Sequence, residues 1–145
     1  MRLEHVCDME LAYEGGDFTL VQPYQSQEGA GFGVGTGFAS GARLAGQVRW
    51  VSHPRRRSDR TMLAQAHGRI TTEEGVEILF SWQGRVLPTG AGQRRQGCQV
   101  LAALFEAEDA RYHWLNQLVC IAEGRLHPET LRLELRIYAC IADIT

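Results

Sequence analysis

Length, composition and charge limit what this chain can be. Its 145 residues, 44% of them apolar, suffice for one domain with its own core. A formal charge of -2 gives no general attraction to nucleic acid. Neither a signal-peptide pattern nor an apolar run of transmembrane length is present. We therefore expect a single cytoplasmic domain, residues 1–145, with no nucleic-acid or membrane partner.

Residue types also remove several kinds of chemistry. All 15 basic residues are arginine, which excludes Schiff-base chemistry on a lysine and a P-loop. The four cysteines form no C-x-x-C pair, and the five histidines form no H-x-H or H-E-x-x-H motif. We therefore expect neither a metal nor a cofactor.

The first predicted elements are two short strands. Residues 9–13 alternate apolar and polar side chains and stop at Gly15-Gly16. Residues 18–24 have the pattern of a second strand, which ends at Pro23. We expect the two strands to pair as a hairpin.

Residues 31–38 carry a glycine at every second position. Side chains alternate between the two faces of a strand, so these glycines leave one face bare. A bare face permits the close approach of another group and suits a tightly curved sheet, such as a small barrel. The spacing differs from the dinucleotide-binding fingerprint, and no helix pattern follows it. Residues 44–50 alternate again and predict the next strand.

The middle of the chain predicts a loop and a hairpin. Residues 52–61 include three consecutive arginines after Pro54, which we interpret as a solvated loop rather than a phosphate site. Residues 62–72 alternate, with alanine and glycine on one face. Residues 76–82 form the return strand after a turn that contains Gly75.

The C-terminal third predicts further strands. Residues 88–97 predict a mobile loop that borders a binding site. Residues 101–106 predict a strand, although a short helix also fits. Residues 111–122 are apolar on both faces, so we expect a strand covered on both sides. Residues 131–142 alternate most regularly. A total of about eight to ten strands with little helix predicts an all-β antiparallel barrel or sandwich.

Three segments resemble a known family. They are residues 35–48 (GTGFASGARLAGQV), residues 68–86 (GRITTEEGVEILFSWQGRV) and residues 104–126 (LFEAEDARYHWLNQLVCIAEGRL). The most specific is the last, which resembles the F-E-x-x-D-x-R-Y-x-W-L-N stretch of the DUF3237 family, also called UPF0311. The chain departs from the family pattern at Glu74-Gly75, where members carry Asp-Gly, and after Val48. The resemblance implies a small calycin-like antiparallel β-barrel and identifies no catalytic residue.

The tryptophans predict a site inside such a barrel. All three lie on the apolar faces of predicted strands, opposite small residues of the 62–72 strand. Large rings that face small residues form either a packed core or the walls of an apolar pocket. An amide on an apolar face needs a partner, which is either the backbone or a ligand. The predicted substrate-binding residues are Trp50, Trp82, Trp114, Asn116, Arg69 and Phe80.

The sequence is compatible with two functions. The first is a cofactor-independent barrel that binds a hydrophobic, polyketide-like or aromatic-like molecule and acts as an isomerase, cyclase or lyase through proximity and one acid–base group. The candidate acid–base residues are His67, Asp59, His113 and Glu77. The alternative is a non-catalytic homodimer with a packed core, in which residues 112–121 form the interface. A dimeric binder would satisfy both.

Overall fold

The computed structural model describes residues 1–88 and 97–145. Within these residues the chain forms ten β-strands and two short 3₁₀ helices. The strands are β1 (Arg2–Tyr13), β2 (Thr19–Val21), β3 (Gly29–Ser40), β4 (Gly46–Ser52), β5 (Arg55–Arg56), β6 (Met62–Thr71), β7 (Glu77–Val86), β8 (Cys98–Ala107), β9 (Cys120–His127) and β10 (Arg132–Ile141). The helices are Glu14–Gly16 and Ala110–Gln117.

Eight of the described strands close into an antiparallel barrel. The hydrogen-bonded order is β1-β10-β9-β8-β7-β6-β4-β3, and β3 pairs with β1 to complete the ring. The two short strands β2 and β5 pair with the N-terminal end of β3, residues 29–32, which does not pair with β1. The prediction of an all-β, single antiparallel barrel is therefore confirmed.

The alternation of side chains sets the inner and outer faces of the barrel. Along β6, Ala64, Ala66 and Ile70 are buried, and the residues between them are exposed or half-buried. The turn to β7 uses Gly75 at φ +87°, a conformation that favours glycine. The strand predicted for residues 101–106 is confirmed as part of β8.

The glycine-alternating strand curves as predicted, with its bare face inward. A β carbon on Gly35 would overlap the ring of Trp50, and one on Gly33 would overlap the ring of Tyr13. The outward residues of the same strand include Phe32 and Phe38, which are exposed. Glycine is thus required here because aromatic rings occupy the interior directly against the backbone.

The predicted pairing of the first two strands is wrong. β1 is longer than expected and is paired on both edges, with β10 on one side and β3 on the other. The C-terminal end of β1 therefore has no free edge with which β2 could pair. β2 pairs instead with residues 30–32 of β3.

The strand predicted for residues 111–122 is also wrong. Ala110–Gln117 forms a 3₁₀ helix, and the chain becomes a strand only at Cys120. The 3₁₀ helix has three residues per turn, so Tyr112 and Leu115 share its buried face. Residues three apart fall on opposite faces of a strand, so this 3₁₀ spacing made both faces of the predicted strand look apolar.

The 3₁₀ helix lies at one end of the barrel, after β8, where Leu115 is fully buried in the core. Tyr13, Ser52 and Val86 end their strands at the opposite end. In the described part of the chain, the longest helical segment has eight residues, and none could cross a bilayer.

Candidate ligand site in the barrel lumen

A cavity of about 160 Å³ opens at the barrel end opposite the 3₁₀ helix. Its walls are mostly apolar and come from strands on all sides of the ring, including Trp50 of β4, Trp82 of β7 and Leu133 of β10. Concave, mostly apolar sites with a few polar groups are the usual form of a small-molecule site.

Two tryptophans form walls of the cavity because the inward residues of β6 beside them are small. Trp50 pairs with Gly68 on one edge of β6, and Trp82 pairs with Ala66 on the other edge. These small residues leave space inside the sheet for both rings. Ala64, two residues earlier on the same face, lines the cavity directly.

Tyr13 supplies an aromatic wall and a polar group together. Its ring lies 4.7 Å from the Trp50 ring and 5.2 Å from the Phe18 ring, centroid to centroid. Its hydroxyl donates a hydrogen bond to Ser52 Oγ at 3.1 Å. Burial raises the pKa of Tyr13, while the bond to Ser52 opposes that rise. The phenol therefore stays protonated at neutral pH and acts as a donor.

Gln99 is the second polar group of the lumen. It lies on the inward face of β8, in line with Leu101 and Ala103, and is only 5% exposed. Its side chain makes no hydrogen bond with another described residue, although it lines the cavity. Since no fully buried side-chain nitrogen or oxygen of the described residues lacks a partner, the Gln99 amide is accessible from the cavity. A polar ligand atom in the cavity can therefore form a hydrogen bond with it.

The mouth of the cavity carries positive charge. Arg56 and Arg60 both contribute to the lining, and Arg56 Nε donates to the backbone oxygen of Gln27 at 2.6 Å. Neither guanidinium forms an ion pair with a described carboxylate, and the described lining contains no Asp or Glu. The site therefore combines apolar walls, neutral hydrogen-bonding groups and a cationic entrance.

The two candidate histidines lie outside the lumen. His67 points outward from β6, and its Nδ1 lies 3.3 Å from Nε2 of His53. His113 is exposed on the 3₁₀ helix, where Nε2 lies 2.7 Å from the backbone oxygen of Glu108. Since strand faces alternate, an outward histidine cannot reach a lumen ligand.

Neither of the two candidate carboxylates lines the cavity. Asp59 is exposed beside Arg57, at 2.8 Å, and the pKa of Asp59 is lowered by the backbone N–H of Thr61 and by that arginine. Glu77 forms an exterior ion pair with Arg69, at 3.4 Å, so Arg69 does not line the lumen either. The structure brings none of the four acid–base candidates together.

The remaining predicted binding residues divide between the core and the opposite end. Phe80 is buried and stacks on Trp82 at 5.1 Å, behind the cavity wall. Trp114 lies on the 3₁₀ helix, with Arg43 Cζ 3.8 Å from its ring centroid. Asn116 bonds to the backbone N–H and C=O of Ala107, at 2.7 and 2.8 Å. The partner of the Asn116 amide is therefore the backbone, the first of the two predicted alternatives.

Sequence reasoning missed the polar groups of this candidate site. Gln99 carried a usable signal, because it is a polar residue on the inward face of an alternating apolar strand. Ser52 and Arg60 had no such signal, since residues 52–61 have a loop composition. Residues 89–96, most of the predicted binding loop, lie outside the described residues, while Leu87 and Pro88 line the cavity.

Within residues 1–88 and 97–145, no group of three or more His, Cys, Asp or Glu side chains is arranged to hold a metal. The four cysteines are free. Burial raises the pKa of Cys7 to about 12 and that of Cys120 to about 11. Thiols with such pKa values are poor nucleophiles and poor ligands.

Solved structures with little sequence similarity share this fold. A β-barrel-like protein from Acinetobacter baumannii AYE has a TM-score of 0.80 at 15% identity, over 95% of this chain and 94% of that one. A protein of unknown function from Clostridium acetobutylicum ATCC 824 has a TM-score of 0.83 at 16% identity, over 97% and 100%. An enzyme from Penicillium herquei has a TM-score of 0.67 at 20% identity, over 94% and 93%.

No curated protein sequence matches the chain. Residues 1–140, almost the whole length, match the family described as "Protein of unknown function (DUF3237)". The resemblance seen in the glycine-rich strand, the Gly75 hairpin and the C-terminal segment is therefore confirmed, and the chain belongs to the DUF3237 family.

Proposed function

We propose that this protein binds a hydrophobic, aromatic-like small molecule in the barrel lumen and acts on it as a cofactor-independent isomerase, cyclase or lyase. The observation that carries the proposal is the cavity of about 160 Å³, which Trp50, Trp82 and Tyr13 line together. Support also comes from the Penicillium herquei protein, an enzyme with a barrel of this kind. The predicted cytoplasmic location belongs to the same proposal.

The described lining residues support polarisation and positioning of a substrate. Gln99 and Ser52, whose oxygen already accepts the Tyr13 proton, can donate hydrogen bonds to a carbonyl or an oxyanion of the substrate, and Arg60 can balance negative charge at the mouth. The described lining residues include no carboxylate and no histidine that could remove a proton. Reactions in which the substrate supplies its own ionised group therefore fit best, such as an intramolecular addition in which an ionised oxygen bonds to one alkene carbon and water protonates the other.

The position of the tryptophans allows a direct binding test. One variant, Trp50→Phe with Trp114→Phe, keeps Trp82 at the cavity. A matched variant, Trp50→Phe with Trp82→Phe, keeps Trp114 at the opposite end. Titration with polyenes and with aromatic compounds of one or more rings should change the Trp82 fluorescence saturably and leave Trp114 unchanged. Equal responses from both reporters, or none, would rule out binding in the lumen.

A cavity-filling substitution separates binding from general surface effects. Ala64→Phe places a ring in the cavity, whereas Ala102→Phe adds the same ring on the exposed face of β8. Any compound that binds should lose measurable affinity in the first variant only. Bound compounds are then incubated with the protein, and new products are sought by mass spectrometry. Conversion that survives Ala64→Phe would place the chemistry elsewhere.

A homodimer is the second candidate, with a different interface from the predicted one. Residues 112–121 do not form a doubly apolar strand, so that basis for a dimer is removed. The outer face of β7 and β8 instead exposes Leu79, Val100 and Leu104, and Val119 is exposed just before β9. Charged residues lie among them, since Leu79 pairs with Glu106 and Val100 pairs with Arg85 and Glu123. Exposed apolar residues on one outer face support a second copy as the partner.

A further inference from the structure

We propose that the ligand of the lumen is a single-ring aromatic compound that carries one anionic oxygen group, a carboxylate or an ionised phenol. The ring would occupy the apolar cavity, and the anionic group would lie towards the arginines of the mouth. This inference rests on the proposed lumen-binding function and narrows its substrate class.

Cavity size restricts the apolar part of the ligand. An apolar cavity of about 150 Å³ is known to hold one benzene ring. The lumen here has about 160 Å³, with Trp50 and Trp82 among its walls. A fused polycyclic compound would have to displace these rings, each of which is at most 6% exposed, or leave part of itself outside the open mouth. The cavity therefore accepts one ring.

Charge restricts the polar part of the ligand. Arg56 and Arg60 line the mouth, no described carboxylate lines it, and neither arginine has an acidic partner among the described residues. Hydrogen bonds from a guanidinium to an anionic oxygen are about twice as strong as those between neutral groups. A cationic ligand would instead face uncompensated repulsion. The mouth thus selects for negative charge.

The interior polar groups fix how the ligand lies. Gln99 is only 5% exposed, and its amide has no hydrogen bond with any described residue. Ser52 already accepts a hydrogen bond from Tyr13, so its own proton is available for an acceptor. Both groups suit an oxygen substituent on the ring. A ring with an anionic group and a second oxygen, such as a hydroxybenzoate, would use the mouth and the interior together.

The test compares ligands of one size and different charge. Benzoate, benzamide and benzylamine are titrated into the wild-type protein by calorimetry and by tryptophan fluorescence. Benzoate should bind about tenfold more tightly than benzamide, as expected for one charge-assisted hydrogen bond, and benzylamine should bind least. 4-Hydroxybenzoate should bind more tightly than benzoate, because its hydroxyl can reach Gln99 or Ser52.

Variants assign the selectivity to residues. Arg60→Gln should remove most of the preference for benzoate over benzamide, and the exposed Arg85→Gln on the outer face should not. Gln99→Met should reduce the advantage of 4-hydroxybenzoate over benzoate. Thermal unfolding checks that each variant is folded.

The outcomes distinguish the inference from the function on which it rests. If benzamide or benzylamine binds as tightly as benzoate, or if Arg60→Gln leaves the preference intact, anion selection is wrong while lumen binding stands. If larger polycyclic compounds bind and these small ones do not, the size argument is wrong. If no compound perturbs the Trp82 reporter, the lumen-binding function itself fails.

Discussion

At the scale of single residues, the bare face of β3 explains where the aromatic cluster fits. Gly33 and Gly35 lie under the rings of Tyr13 and Trp50, and any side chain there would meet a ring or backbone. The sequence revealed that one face of this strand was bare. It could not reveal which groups lie against that face, because Tyr13 approaches from another strand.

Gly35→Ala should destabilise the barrel. Its new β carbon would overlap the Trp50 ring and the backbone oxygen of Ala12, which cannot move aside easily. Overpacking a close-packed interior costs about 1–3 kcal/mol in the free energy of unfolding. Urea unfolding should show that loss, and the exposed neighbour substitution Thr36→Ala should cost much less. Equal stabilities of the two variants would contradict the packing described here.

Thiol reactivity should follow burial. Cys7 and Cys120 are fully buried, with pKa values raised to about 12 and about 11, whereas Cys98 and Cys140 are partly exposed. A thiol reagent at pH 8 should therefore label Cys98 and Cys140 in the folded protein and all four cysteines in denaturant. Peptide mass spectrometry identifies the sites. Rapid native labelling of Cys7 would show that the inner face of β1 is open.

At the scale of elements, the 3₁₀ helix Ala110–Gln117 is the segment that sequence patterns misread. Leu115 and Tyr112 anchor its inner face, and the Asn116 amide ties it to the end of β8. Asp109 caps its start by accepting the backbone N–H of Arg111 at 2.9 Å. These contacts join residues that a strand prediction would have placed on opposite faces.

The cap should make the helix sensitive to acid. The Arg111 side chain and backbone N–H lower the pKa of Asp109 from 3.8 to about 2. Because the folded pKa is the lower one, the charged carboxylate stabilises the fold above about pH 4, and this contribution disappears as the pH falls towards 2. Asp109→Asn keeps a capping oxygen and removes the charge.

Thermal unfolding from pH 7 to pH 2 measures this effect. The wild type should unfold at a higher temperature than Asp109→Asn at pH 7, and the two curves should converge near pH 2. Glu129→Gln, an exposed substitution in the turn before β10, serves as the control and should follow the wild type. A constant difference between wild type and Asp109→Asn at all pH values would refute the assignment.

At the scale of the whole molecule, closure of the barrel decides which residues form a site. The cavity takes lining residues from β1, β4, β6, β7, β8 and β10, which are far apart in the chain. Predicted candidates such as His67 and Glu77 were plausible as titratable groups, yet they point outward. Trp50 and Trp82 line the cavity because their strands flank β6, whose inward residues Gly68 and Ala66 are small.

The proposed dimer can be tested on the outer surface. Leu104→Arg places a charge in the exposed apolar face of β8, which includes Val100 four residues earlier. If this face is the interface, the wild type should have a dimeric mass in analytical ultracentrifugation and the variant a monomeric one. Glu129→Gln, in the turn before β10, serves as a surface control. A monomeric wild type would remove the dimer proposal.

The sequence by itself determined the alternating strands, the glycine-bare strand, the Gly75 hairpin and the family. These features depend on local periodicity and turn chemistry, which a chain displays without its folded partners. Only the tertiary structure decided the double pairing of β1, the 3₁₀ helix at one end and the polar lining of the lumen. Those features depend on contacts between distant residues, such as Tyr13 with Ser52 and Asn116 with Ala107. The physical reason is that ring closure, which no single segment encodes, assigns each side chain to the inside or the outside.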